Sequence, residues 1–505
     1  MQALIVSGKN LPLGAVRLEG LTWIPEGQQT PVLHEVDLQI DPGERVLLIG
    51  PSGAGKSTLL HAIAGVLGEV DPGVLHGSLQ RGGNVGLLTQ DPADALVAAT
   101  VGRDVAFGCE NAAMPRSDIH VAVREALELV GFPYPTSRST LALSGGEAQR
   151  LALAGVIAPR PEVLLLDEPT ACLDEESAAV VRDAVDQSVS ARGSTLIVVE
   201  HRIEPWLPLV DRVLVMGAEG SLVSDFPVSH VDTCREMLSS LGVWVPGVSD
   251  PAPLPLPEGL FVAGHVERKR PAFGDVLMVA EQVEWLRTPP RSLTWTRRAP
   301  VQVLTSTDAC VRAGEVLGVQ GRSGAGKSSF LRLLAGLAAP TSGSVRATSA
   351  LFGEGFMGPS SPAEWSSRVL AARVSWVPQR SSQTVVADTV WDSLVATARV
   401  LGLVGVEQRG EQVAEALSLG HVLGRNPHSL SGGEKRRLAV ASAVLHGPGF
   451  VALDEPTAGQ DRGTWAAVAG VMSVMCQVGA GVVVASHDRS LCGSSGLVDS
   501  TVEVS

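Results

Sequence analysis

The sequence predicts an α/β fold written twice along one chain of 505 residues. Three observations carry that expectation. Short apolar runs alternate with helical stretches in each half. A glycine-rich loop joins one such run to a helix in each half. Three motifs recur in the same order along the chain.

The repeat is read directly from the residues. Gly50-Pro51-Ser52-Gly53-Ala54-Gly55-Lys56-Ser57 returns as Gly321-Arg322-Ser323-Gly324-Ala325-Gly326-Lys327-Ser328. Leu143-Ser144-Gly145-Gly146-Glu147 returns as Leu430-Ser431-Gly432-Gly433-Glu434, and Leu166-Asp167-Glu168-Pro169-Thr170 as Leu453-Asp454-Glu455-Pro456-Thr457. The loop lysines lie 271 positions apart and the motif serines 287, so the second copy holds 16 more residues between them. The Gly-, Ser- and Pro-rich stretch 353–366 takes part of that surplus and reads as a surface loop. A proline-rich run at 246–257 cannot hold a helix or an inner strand and reads as an extended, stiff linker. The expected organisation is a first module at 1–240, a linker at 241–271 and a second module at 272–505.

Within each module the apolar runs are continuous rather than alternating, as in parallel strands buried on both faces. Arg45-Val46-Leu47-Leu48-Ile49, Val163-Leu164-Leu165-Leu166 and Thr195-Leu196-Ile197-Val198-Val199 are the first set. Val316-Leu317-Gly318-Val319, Phe450-Val451-Ala452-Leu453 and Gly481-Val482-Val483-Val484-Ala485 are the second.

Composition excludes several classes. Lys and Arg number 39 against 53 Asp and Glu, a net charge of −14, so the chain is not built to coat nucleic acid, and no nucleic-acid partner is expected. Hydrophobic residues reach 45%, yet no uninterrupted apolar run extends to about 18 residues. The start, Met1-Gln2-Ala3-Leu4-Ile5-Val6, lacks the basic and apolar segments of a signal peptide. The chain is expected not to cross a membrane alone, while docking on membrane proteins stays open. Six scattered cysteines without a CxxC pair indicate neither a zinc site nor a disulfide framework, which fits a reducing cytoplasm.

The glycine-rich loops have the GxxxxGK[ST] pattern. Glycines let the backbone N–H groups curl around an anion, and the following helix adds its positive end. Lys56 and Lys327 are placed to reach β- and γ-phosphates, and Ser57 and Ser328 to hold Mg²⁺. Asp167 and Asp454 close apolar strands, where a carboxylate can sit beside the ion. Glu168 and Glu455 follow, and a carboxylate there can orient and deprotonate an attacking water. The plainer alternative is a pair of helix N-terminal acids favoured by the dipole. Ser144 and Ser431 suit N-caps; with the small residues Gly146 and Gly433 beside them, the same loops could admit a second anion contact.

Together these motifs resemble the ATP-binding cassette family across nearly the whole of both modules. The resemblance implies two tandem P-loop NTPase domains, each a mostly parallel sheet core with an antiparallel β part and a helical subdomain. It implies an ATPase that uses ATP and Mg²⁺. Thr58 and Ser329 join the phosphate-loop contacts. Gln90 and Gln379 are similar to the glutamine that links Mg²⁺ to the membrane contact, and His201 and His487 to the switch histidine at the γ-phosphate. The histidines follow the aspartates by 34 and 33 positions. Leu173-Asp174 and Gln460-Asp461 resemble the loop that touches the opposite module. Trp23 resembles the ring that stacks on adenine, and Trp285 does so less closely. The family pairs its modules head to tail within the chain: Lys56, Asp167, Glu168 and His201 would face Ser431, and Lys327, Asp454, Glu455 and His487 would face Ser144. One departure is common to both copies. Glu147 and Glu434 stand where the family commonly has Gln, which would weaken phosphate binding unless the acid points away.

Thr100-Val101-Gly102-Arg103-Asp104-Val105-Ala106-Phe107-Gly108 and Glu200-His201-Arg202-Ile203-Glu204 resemble the ATPases of energy-coupling factor transporters. That implies import of a vitamin or transition-metal ion, with an integral membrane coupling protein and a substrate-binding membrane subunit, at the cytoplasmic face of the membrane. The ATPase of another importer or exporter is one alternative. A soluble ribosome-acting cassette protein is another, which the proline-rich linker disfavours because such proteins join their cassettes by a helical arm.

Overall fold

The computed structural model describes residues 5–7, 11–68, 72–90, 95–171, 173–261, 271–287, 301–322, 324–353, 356–494 and 496–504. The chain divides into two compact units, Met1–Ser249 and Asp250–Ser505.

The first unit is built on a six-stranded sheet. Its order is Leu222–Pro227, Arg212–Met216, Arg45–Ile49, Thr195–Val199, Val163–Asp167 and Val85–Leu88, all pairs parallel except the first. Val163–Asp167 and Thr195–Val199 are buried at every position, which is why their sequences are apolar without alternation. A second sheet of four strands holds Val16–Pro25 antiparallel to Leu33–Ile40 and Gly73–Arg81. The helix Lys56–Ala64 buries Leu59, Leu60, Ala62 and Ile63 in a core shared by both sheets. Val101–Asn111, Arg116–Leu129 and Gly145–Ile157 bury a second core around Val105, Ala126 and Leu151.

The second unit repeats this plan. Its five-stranded parallel sheet runs Val374–Val377, Phe450–Asp454, Gly481–Ala485, Val316–Gln320, Ser500–Glu503. A three-stranded antiparallel sheet pairs Val276–Arg287 with Val301–Arg312 and Ser342–Ala347. The registers match between units: Asp167 lies opposite Val199, and Asp454 opposite Ala485. Both acid pairs therefore emerge at the C-terminal ends of corresponding inner strands, beside the phosphate loop of their own unit.

Two expectations need correction. The stretch 353–366 is not a plain surface loop. Met357 is exposed, but Trp365 is buried, stacks edge-on against Phe356 at 5.6 Å and donates its Nε1–H to the Pro359 carbonyl at 2.6 Å. Aromatic side chains anchor what turn residues alone would leave outside. The segment 241–271 is not one free linker either. Val243 and Val245 are buried in the first unit, where the Trp244 N–H donates to the His201 carbonyl at 3.0 Å. Residues 250–257 form neither helix nor strand, yet the Leu254 N–H donates to the Ala466 carbonyl of the second unit at 2.8 Å. Proline removes backbone donors, not apolar surface, so such a run can still pack. Residues 262–270 of this segment lie outside the described residues.

Candidate phosphate-binding and hydrolysis sites

In each unit the glycine-rich loop leaves a buried strand and enters a helix. Gly55 and Gly326, just before the lysines, have φ of 87° and 95°. A Cβ there would lie 2.7 Å from the Val32 carbonyl oxygen and 2.4 Å from that of Val303, so only glycine fits. The Ala54 and Ala325 N–H groups close turns onto Pro51 and Arg322, at 3.2 and 3.1 Å. Ser323 lies outside the described residues.

The lysines fold over these loops. Lys56 Nζ donates to the Gly50 and Pro51 carbonyls at 2.9 and 2.8 Å. Lys327 Nζ donates to Gly321 at 2.9 Å and Arg322 at 3.2 Å, and lies 2.7 Å from His487 Nε2.

The acid pairs follow. Asp167 is 2% exposed; it is bonded to Ser57, and its Oδ1 has no protein partner. Burial and then the neighbouring Glu168 push its carboxyl to about 7, against Ser57, Lys56 and His201. Burial also raises Asp454, opposed by Ser328, Lys327 and Arg436. At Asp167 a hydroxyl beside a buried, unpartnered carboxylate oxygen is a donor set for a hard divalent ion, and Ser328 beside the buried Asp454 repeats the pairing, so these residues fit Mg²⁺.

Glu168 and Glu455 adopt φ of 49° and 46°, left-handed values that cost a non-glycine residue roughly 1–3 kcal/mol. The cause is visible. The Glu168 N–H still donates to Val199 at 3.0 Å and that of Glu455 to Ala485 at 2.8 Å, so the ladder continues while the chain turns. Glu168 Oε1 lies 3.3 Å from His201 Nε2, and its Oε2 is buried without a partner. Glu455 Oε2 accepts from the His487 N–H at 3.2 Å. Burial pushes the Glu455 carboxyl to about 7, with Lys327 opposing and Asp454 reinforcing. Both histidines lie against their glutamates, His201 Nε2 at 3.3 Å from Glu168 Oε1 and His487 Nε2 at 3.6 Å from Glu455 Oε1.

The signature loops resolve the departure at Glu147 and Glu434. Both acids turn back onto their own helix start in a capping box. Glu147 Oε2 accepts from the Ser144 N–H at 2.8 Å, and Oε1 from the Tyr134 hydroxyl at 2.6 Å. Glu434 Oε2 accepts from the Ser431 N–H and hydroxyl, both at 2.8 Å. Gly146 and Gly433 are buried in the first helical turn. Since Gln completes the same box, Glu147→Gln with Glu434→Gln should leave the KM for ATP within about twofold; a tenfold fall, about 1.4 kcal/mol, would put the acids against phosphate. Steady-state phosphate release against ATP concentration measures it.

Other residues are placed less simply. Gln90 is exposed just past the strand Val85–Leu88; Gln379 is half-buried, and its carbonyl accepts from the Arg436 guanidinium. Thr58 and Ser329 are half-buried near the helix starts. Asp174 and Asp461 cap their helices, accepting from the N–H groups of Ser177 and Thr464 at 2.8 and 2.6 Å. Trp23 corrects an expectation: it is 2% exposed, and a Cβ on Gly73 would meet its ring at 2.6 Å. The indole is core, not an open face for adenine. Trp285 stays half-buried beside the second unit's core.

Two carboxylates beside the histidines were given no role by the motifs. Glu200, 5% exposed, accepts from the Thr170 N–H at 3.0 Å and hydroxyl at 2.5 Å; burial pushes its carboxyl to about 7, against these donors. Asp488 accepts from the Thr457 hydroxyl at 2.9 Å and Trp465 Nε1 at 2.8 Å. Glu200 adjoins His201 in the sequence, but nothing there pairs it with Thr170.

Fold and loop geometry define a P-loop ATPase with two nucleotide-binding units. Residues 33–171 and 304–458 match the ABC transporter family, and the chain belongs to it. It is 31% identical to a candidate ABC transporter ATP-binding protein of Streptomyces coelicolor, over 94% of this chain and 90% of that one. It is 28% identical to a candidate HMP/thiamine import ATP-binding protein of Bacillus subtilis, over 94% and 88%. The solved RNase-L inhibitor covers 95% of this chain, and 89% of itself, with a TM-score of 0.53 at 19% identity, a likeness of fold alone. The chain is thus an ATP-hydrolysing subunit that associates peripherally with the membrane components of a transporter. No helix among the described residues is long and apolar enough to cross a membrane.

Proposed function

We propose that the chain powers an energy-coupling factor importer of a vitamin or transition-metal ion from the cytoplasmic face of the membrane. It would work with an integral membrane coupling protein and a substrate-binding membrane subunit. The observation that carries this reading is the near end-to-end likeness to the Bacillus subtilis protein, whose name assigns it to HMP/thiamine import.

In this reading the loops 50–58 and 321–329 bind the triphosphate, with Lys56 and Lys327 releasing their loop carbonyls for phosphate oxygens. Ser57 with Asp167, and Ser328 with Asp454, hold Mg²⁺, aided by Gln90 and Gln379. The bound ion would neutralise charge on the β- and γ-phosphates. Glu168 and Glu455 orient the attacking water and take its proton. His201 and His487 face the γ-phosphate, and the loops at Ser144 and Ser431 offer a second anion contact. The test is purification of the tagged chain from solubilised membranes, paired with vitamin and metal uptake in cells lacking it. Recovery of integral membrane proteins and loss of uptake of one such cargo is expected. Recovery of ribosomes without any integral membrane protein would overturn it.

A further inference from the structure

The two units hold the turn after their acid pair with a carboxylate taken from opposite sides of the histidine. Register fixes the comparison. Because Asp167 pairs with Val199 and Asp454 with Ala485, Glu200 corresponds to Ser486, His201 to His487 and Arg202 to Asp488. In the first unit Glu200, before the histidine, accepts from the Thr170 N–H and hydroxyl and from the His201 N–H. Arg202, after it, lies exposed over the Trp244 ring at 4.2 Å. In the second unit the order is reversed. Ser486 stands before the histidine, and its hydroxyl accepts from the Asp488 N–H at 3.1 Å. Asp488, after it, takes the Thr457 hydroxyl.

We propose that Glu200 and Asp488 are interchangeable positioning residues, each locking the threonine of the acid-pair turn to the histidine loop so that glutamate and histidine keep their spacing. Glu168 is held from one side by its N–H bond to Val199 and from the other by Thr170 on Glu200. A turn strained at φ 49° relaxes unless both sides are fixed. Glu455, at φ 46°, is tied to Ala485 and, through Thr457, to Asp488. One carboxylate per unit meets the need, so its place in the sequence was free to differ. The inference rests on the hydrolytic roles proposed for Glu168 and His201.

The test transplants the second arrangement into the first unit of the full chain carrying Glu455→Gln, so that turnover reports the first unit and the Glu455→Gln chain serves as the parent. Glu200→Ser should lower kcat at least about tenfold while KM for ATP stays within about twofold, since misplacement costs rate rather than binding. Glu200→Ser with Arg202→Asp should recover kcat to within about threefold of the parent. Full recovery is not expected, because Asp488 also binds Trp465, whose helix position, four after the capping aspartate, is Ala178 in the first unit. Glu200→Gln keeps an acceptor oxygen and should stay near the parent. Parent-level kcat in the single variant would overturn the proposal. So would a double variant no faster than the single when both melt at the parent temperature, or when the double melts higher than the single. His201→Ala is run alongside: a parent rate there would sink the histidine's role itself, and the brace with it.

Discussion

Replacing Glu168 and Glu455 together by Gln lowers steady-state ATP turnover by about 10²–10⁴-fold, the range a positioned general base contributes. Gln has nearly the shape of Glu and can still orient a water, but it cannot take a proton. Nucleotide binding should persist, because the loops 50–58 and 321–329 do not depend on either side chain. The same substitution has a second, opposite effect at position 455. Burial raises the Glu455 carboxyl from an ordinary 4.5 to about 7. Between these values the folded protein keeps a proton that the unfolded chain has released. Stability from this group therefore falls as pH rises through the window, and the full cost remains above it. Glu455→Gln removes the charge, so the nucleotide-free variant should melt higher than the parent at pH 8 and nearly with it at pH 4.5. A residue retained at a cost to stability is what a reactive position looks like. A double variant that releases phosphate at the parent rate would remove both glutamates from the chemistry.

The motifs made the site legible where chemistry depends on backbone geometry and local order. A lysine after Gly55 and a carboxylate ending a buried strand are set by sequence neighbours, and in both units the lysine opens a helix and the aspartate closes an inner strand. Trp23 was misread because its strand faces two ways, and only packing over Gly73 decides which way the indole points. The acid at Glu147 could not be judged from sequence, since its harmlessness depends on a turn back to Ser144 and on Tyr134, thirteen residues away. Glu200 is the plainest case. It bonds to a threonine thirty residues earlier, and its counterpart in the other unit is a different residue type at a different offset. Repeats reveal what is copied, and such a compensated exchange is hidden by definition.

Trp206→Ala should destabilise the first unit by about 3–5 kcal/mol, the usual cost of emptying a buried aromatic site. Trp206 is wholly buried in the short helical turn Glu204–Leu209, packed within the unit's larger core. Its Nε1–H is buried without an acceptor, and such a group costs about 1–3 kcal/mol. That separates two substitutions. Trp206→Phe loses ring volume but also discards the unpaired donor, so its net loss should be less than half that of Ala. The turn begins three residues after His201, and the Trp206 N–H donates to the Ile203 carbonyl at 2.9 Å. The Ala variant should therefore lose kcat at temperatures where the unit is still folded, while the Phe variant keeps it. Calorimetric melting with phosphate release at a fixed low temperature measures both. A Phe loss of more than half that of Ala would mean that the indole N–H carries no penalty; an unchanged melting temperature for Ala would mean that the ring does not fill the core.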